Sequence, residues 1–269
     1  MTDATKHKAD TLLPARADHA PVTRSAPVVA KDNYEGYRSV LRWDFWYSCA
    51  YCTLAESEAS GVAFSIDHYL PQSRYPELVA TYDNLLWSCN HCNSFKRAFP
   101  TEPAARKGYR FFRPDIDDPD DHFGASPMSP VRLDAKTELV GKYSIEQLNL
   151  NRQTLRRLRE IRTRLAQSHS MLVRGLRSLE GVKLQSLPRE TRVKFMQIRA
   201  RLEERSKTVS EILDATLLRE FSRSELIDPP VEATHDAQAR RRYLKAVNAT
   251  LPAPSSNFGP IGREIETFS

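Results

Sequence analysis

Four cysteines in 269 residues fall into two identical knuckles, Cys49-x-x-Cys52 and Cys89-x-x-Cys92, and none is left over. Each knuckle puts two thiolates on one tight turn, which is the ligand spacing of a tetrahedral structural zinc. The rival readings are two disulfides or four buried thiols. The sequence shows no secretory signal peptide and no apolar run near the length of a membrane span, so a cytoplasmic setting and a structural zinc are expected. The segment between the knuckles is longer than the about 15–20 residues of an ordinary zinc ribbon. Something is inserted there.

The insertion reads as a hairpin. Ala63-Phe64-Ser65-Ile66 is a short apolar-rich strand ending in Asp67-His68, a polar loop with Pro71 and Pro76 follows, and Asn84-Leu85-Leu86-Trp87 is a second strand entering the second knuckle. The spacing then predicts a helix start at Asn93-Ser94-Phe95-Lys96-Arg97, with Asn93 at the end where asparagine is favoured as a cap. Two strands and a helix converge on one small space, and His68 and Asn93 are expected to face each other across it.

Cys49 and Cys52, Asp67-His68-Tyr69-Leu70-Pro71, Asn84-Leu85, and Cys89-Asn90-His91-Cys92-Asn93-Ser94-Phe95-Lys96 resemble, in order and spacing, the HNH endonucleases of the His-Me finger class. Asn93 stands where the family name has its final histidine. The resemblance implies an α+β fold: a ββα-metal HNH module with structural zinc, followed here by a mainly α-helical C-terminal region. It implies an endonuclease in which His68 is the general base that takes a proton from the attacking water, a task suited to a neutral imidazole with an unperturbed pKa of about 6.5. By the same resemblance Asp67 and Asn93 hold one divalent cation against the scissile phosphate, and Asn84 pins the loop that orients the base. Two hard oxygen ligands favour magnesium or manganese. Each such site cuts one strand, so a duplex break would need two sites, as in a homo-oligomer.

Blander readings stand beside these. Asp67-His68 alone could be a surface turn, and Asn93 a helix cap only. Lys96 and Arg97 could be solvated helix residues, although a lysine at the former position could meet a phosphate. His91 is expected to be exposed, since four thiolates already fill a zinc. The acidic run Asp115-Ile116-Asp117-Asp118-Pro119-Asp120-Asp121-His122 has prolines and no glycine, which does not suit a calcium loop, and reads as a solvated connection.

The remaining chain divides by composition. Residues 1–33 read as a disordered leader, 34–112 as the nuclease module, 113–150 as a connecting loop with short strands, 151–250 as a basic helical region and 251–269 as a tail. Tyr34 to Tyr47 is expected to form a helix on the module. Gly108 to Phe112, Val131 to Leu133 and Leu139 to Tyr143 look like short strands. Leu155, Leu158, Ile161, Leu165, Leu172, Leu176 and Leu179 mark an amphipathic helix, interrupted or bent near Gly175. A second helix opens at Pro188, and a last one is expected over Glu232 to Ala249.

Residues 152–207 hold 16 Lys+Arg against 5 Asp+Glu, a balance of +11, leaving −5 for the rest of a chain whose net charge is +6. Such a stretch, with Arg156, Arg157 and Arg159 on one helix, is either a solvated face or a face that tracks phosphates of nucleic acid, with DNA the expected partner. The run Leu148-Asn149-Leu150-Asn151-Arg152, taken with the motifs above, is similar to stand-alone bacterial HNH proteins. Among these the nuclease component of Septu-type anti-phage systems acts with a partner ATPase; this chain has no Gly-x-x-x-x-Gly-Lys-Ser/Thr of its own, so an ATPase would act in trans. The alternative is a catalytically idle, zinc-stabilised module that binds nucleic acid or protein. Such a module has no need for Asp67 or His68.

Overall fold

The computed structural model describes residues 20, 22, 24, 25 and 33–213, apart from 57, 60 and 181. The helix expected over Glu232 to Ala249 and the 251–269 tail lie outside the described residues. A 3-10 turn at Tyr34–Tyr37 runs into α1 (Arg38–Asp44), as the aromatic-rich segment suggested. β1 (Phe64–His68) and β2 (Leu85–Cys89) pair antiparallel, with Phe64 opposite Cys89, Asp67 opposite Leu86 and His68 opposite Leu85. α2 (Asn90–Lys96) follows β2 directly. Every residue of β2 is buried, because α1 and α2 both pack against it. That is why Leu85-Leu86-Trp87 is continuously apolar rather than alternating.

After α2 come a short helix α3 (Glu102–Arg106), a one-turn α4 (Pro119–His122), the hairpin β3 (Phe123–Ser126) and β4 (Ser129–Ala135), a π-helical turn at Glu138–Lys142, and α5 (Tyr143–Gln147). Leu139 to Tyr143 are therefore helical rather than a strand, and Gly108 to Phe112 pair with no strand. The π turn demands a glycine: a Cβ on Gly141 would sit 2.3 Å from the His122 carbonyl oxygen. Two long helices end the described chain, α6 (Gln153–Glu180) and α7 (Arg189–Leu213), packed side by side. α6 runs through Gly175 without interruption, because one glycine costs a helix only about 1 kcal/mol relative to alanine. No helix among the described residues is long and apolar enough to cross a membrane.

One hydrophobic cluster joins these parts, running from Val22 through Leu41, Phe45, Ile66, Leu85 and Trp87 to Phe112, Leu133 and Leu155. It includes part of the segment read as a disordered leader. Ala20 and Val22 are buried, Val22 N–H donates to the Pro114 carbonyl at 2.9 Å, and the Arg24 guanidinium lies over Phe45 and Tyr82, 4.9 and 4.7 Å from the ring centroids.

The acidic run is also corrected: Asp115, Asp117 and Asp118 are buried, not solvated. Arg113 forks onto Asp115 at 3.0 and 2.6 Å, Arg24 reaches the same carboxylate at 3.0 Å, and Arg110 forks onto Asp117 at 2.7 and 2.6 Å. Asp118 caps α4 through the Asp120 N–H. Burial alone would raise the Asp115 carboxyl, but Arg113 and then Arg24 outweigh it and hold the pKa at about 2. The folded value lies below the unfolded one, so this stabilisation is fully present above about pH 4 and is lost as pH falls toward 2, in all roughly 2 kcal/mol. Urea unfolding of the wild type and of Asp115→Asn is expected to show midpoints far apart at pH 7 that converge between about pH 4 and 2. A pH-independent gap would contradict this account.

Candidate active site

The two knuckles meet at the base of the hairpin. In the first, Thr53 N–H donates to the Cys49 carbonyl at 2.9 Å, and Ala50 N–H donates to the Trp87 carbonyl of β2 at 2.8 Å. The second straddles a junction, with Cys89 ending β2 and Cys92 in the first turn of α2. All four thiols are buried, none is in a disulfide, and their Sγ atoms lie within 4.8 Å of one another. Cys52 and Cys89 Sγ are 3.7 Å apart. Ligands held tetrahedrally at about 2.3 Å would be separated by about 3.8 Å, so the donor set fits a zinc ion.

The module so clamped presents His68 at the end of β1. Its ring is half-buried, and Nε2 lies 3.0 Å from the Val79 carbonyl oxygen. A carbonyl only accepts, so Nε2 carries the proton and Nδ1 keeps its lone pair. Burial pushes the imidazole pKa below its ordinary 6.5, which keeps the ring neutral near pH 7. Tyr34 packs edge-on against it, with centroids 4.9 Å apart. The carbonyl partner exists because the 69–79 loop is pinned from below: Asn84 Oδ1 accepts from Leu70 N–H at 2.8 Å, and its Nδ2 donates to the carbonyls of Leu70 and Leu78 at 3.1 and 3.3 Å. Asn84 sits in a 3-10 turn at Tyr82–Asn84 just before β2 rather than within the strand, and is fully buried.

Asp67 is placed less openly than the sequence suggests. Its side chain is 4% exposed; Oδ1 accepts from Lys96 Nζ at 3.1 Å and Oδ2 from the Tyr51 hydroxyl at 2.5 Å. Burial pushes the Tyr51 phenol up, so it remains a donor. Each carboxylate oxygen retains a further lone pair for a cation. Asn93 lies inside α2 rather than at its start, since the helix begins at Asn90 with Cys89 as cap. Asn93 Nδ2 donates to Ser65 Oγ at 3.0 Å, which leaves the amide oxygen as the group an ion would use. The Lys96 ammonium lies beside the Asp67 carboxylate, and the Asn93 amide oxygen has no hydrogen-bond donor among the described residues.

Lys96 and Arg159 are corrected outright. Lys96 is 1% exposed and also donates to the His68 carbonyl at 2.6 Å, so it braces the end of β1 instead of meeting phosphate. Arg159 is buried and donates to the carbonyls of Leu150 and Val131 at 2.6 and 3.2 Å. Both turn inward because buried carbonyls and a carboxylate need donors there. Arg156 is half-buried, while Arg97 and Arg157 are exposed; His91 is exposed, as expected. Tyr34, Tyr51 and Val79 were missed. A backbone carbonyl leaves no side-chain signal, and Tyr51 is hidden as one of the two variable positions of the first knuckle.

Residues 49–99 match the HNH endonuclease family model. The chain is also 33% identical over 103 residues to the Septu protein PtuB of Bacillus thuringiensis, a match that covers 38% of this chain and 36% of that protein. It therefore spans little more than a third of the relative's length. No solved structure matches the chain. The HNH segment begins at the first knuckle and ends just beyond α2, so it contains the four thiols, His68, Asp67, Asn84 and Asn93.

Proposed function

We propose that the HNH segment is the catalytic module of a metal-dependent endonuclease that hydrolyses phosphodiester bonds in nucleic acid, with DNA as its substrate class. The observation that carries this reading is the His68 Nε2 contact to the Val79 carbonyl, which fixes the tautomer a general base needs. In this reading Nδ1 takes the proton from the attacking water, Asn84 holds the loop that supplies the carbonyl, and Asp67 and Asn93 hold magnesium or manganese. A divalent ion there supplies charge neutralisation at the scissile phosphate and stabilises the leaving oxygen. Arg97, Arg156 and Arg157 remain the basic residues assigned to phosphate contact, and neutralised phosphates dominate non-specific affinity. The likeness to a Septu component supports a place in anti-phage defence beside an ATPase acting in trans.

The idle binding module draws on one observation, that both Asp67 oxygens are already bonded within the fold. Supercoiled plasmid incubated with the protein and Mg²⁺, Mn²⁺ or EDTA separates the two readings. The endonuclease is expected to nick or linearise plasmid with a divalent ion and to stop when EDTA is present. Retained DNA binding with unchanged plasmid in every condition would favour the idle module.

A further inference from the structure

Arg152 was counted with the basic helix, yet its guanidinium faces the cysteine cluster. Nη2 lies 3.6 Å from Cys52 Sγ and 3.8 Å from Cys92 Sγ, and Nη1 lies 3.9 Å from Cys92 Sγ. One planar fork therefore spans a thiol from each knuckle. The fork is held from behind: Nη1 also donates to the Leu148 carbonyl at 3.3 Å, and the guanidinium stands over the Phe95 ring, 6.0 Å from its centroid. The turn that carries Arg152 is fixed as well. Asn151 brackets Leu133 of β4, accepting from its N–H at 2.8 Å and donating to its carbonyl at 2.9 Å. Three residues into the third turn of α6, buried Arg162 grips the first knuckle, donating to the Thr53 carbonyl at 2.9 Å and to Glu58 Oε1 at 2.9 Å.

Four thiolates around a divalent zinc ion leave a net negative centre in a buried place, where uncompensated charge is costly. A rigid cation that donates N–H groups to those sulfurs lowers that cost and reduces their tendency to pick up protons or leave the metal. We propose that Arg152 is the charge-compensating partner of the zinc–thiolate centre, and that through it the N-terminal end of α6 governs how tightly the zinc is retained. Lysine would keep the charge but not the fork, and glutamine would keep neither.

The proposal rests on the zinc reading of the cysteines, and the experiment keeps the two apart. Full-length wild type, Arg152→Gln, Arg152→Lys and Arg164→Gln are compared, the last being a control whose exposed side chain pairs with Glu160 on the same helix. Zinc content of the wild type is measured first by elemental mass spectrometry; a wild type without zinc would sink the zinc reading itself. Transfer of zinc to a chromogenic chelator is then followed under native conditions. Arg152→Gln is expected to release zinc about 10–100-fold faster than wild type. Arg152→Lys should fall between them and Arg164→Gln should match wild type. Wild-type release from an Arg152→Gln protein with native circular dichroism would overturn the proposal. If the glutamine variant does not fold, the lysine variant decides: faster release than wild type supports Arg152, and equal release overturns it.

Discussion

Replacing Cys89 by serine is expected to unfold the HNH segment rather than merely loosen it. Cys89 is fully buried where β2 passes into α2, so with zinc bound its thiolate would tie the hairpin, the helix and the first knuckle to one ion. Structural zinc contributes about 10–16 kcal/mol of apparent binding free energy in small fingers, whereas whole domains are stable by only about 5–15 kcal/mol. The hydrophobic cluster also passes through Cys49, Cys52, Cys89 and Cys92, so loss of the metal disturbs the packing of Leu85, Leu86 and Trp87 as well. The variant should lose bound zinc, native near-ultraviolet dichroism and resistance to protease across residues 49–99. A strong chelator should reproduce this in the wild type, while a reductant alone should do nothing, because the four thiols are free. A Cys89→Ser protein that melts cooperatively at the wild-type temperature would contradict the structural role of the centre.

His68→Ala is expected to do the reverse, leaving the fold and removing turnover. The imidazole is only half-buried, and its one hydrogen bond among the described residues is to a loop carbonyl, so its loss removes little packing. A positioned general base supplies on the order of 10²- to 10⁴-fold in rate. The drop should appear in the rate of the chemical step with saturating protein, not in DNA affinity. Added imidazole should restore part of it, since the cavity left by the ring lies beside the Val79 carbonyl that orients it. Loss of DNA binding in parallel with cleavage would instead mark His68 as a contact residue.

What the sequence made legible is what local chemistry dictates. Paired thiols at fixed spacing and a strand ending in Asp67-His68 depend on near neighbours, and the hairpin and the four-thiol cluster stand as expected, whereas the helix begins at Asn90 inside the second knuckle instead of at Asn93. Several of the errors come from a partner far away in the chain. Charged runs look solvated until their counter-ions are known: Asp115 meets Arg24, 91 residues earlier, and Arg162 meets Glu58 across 104 residues. Lys96 follows the same rule, since its position in the motif suggested phosphate while the adjacent Asp67 carboxylate claims it. Within the basic helix only Arg159 was misplaced, because charge counts do not resolve faces. Arg159 and Arg162 point into the body of the protein, and Arg157 and Arg164 do not. Backbone partners such as the Val79 carbonyl could not be read from side-chain identity at all.

The most direct test of the account combines metal content and chemistry in the same samples. Wild type and His68→Ala are purified in parallel, their zinc is quantified, and single-turnover cleavage of supercoiled plasmid is timed with Mg²⁺ and with EDTA. The account predicts equal zinc, EDTA-sensitive cleavage by the wild type and a rate at least about 10²-fold lower for the variant. A zinc-replete His68→Ala protein that cuts plasmid at the wild-type rate would contradict it.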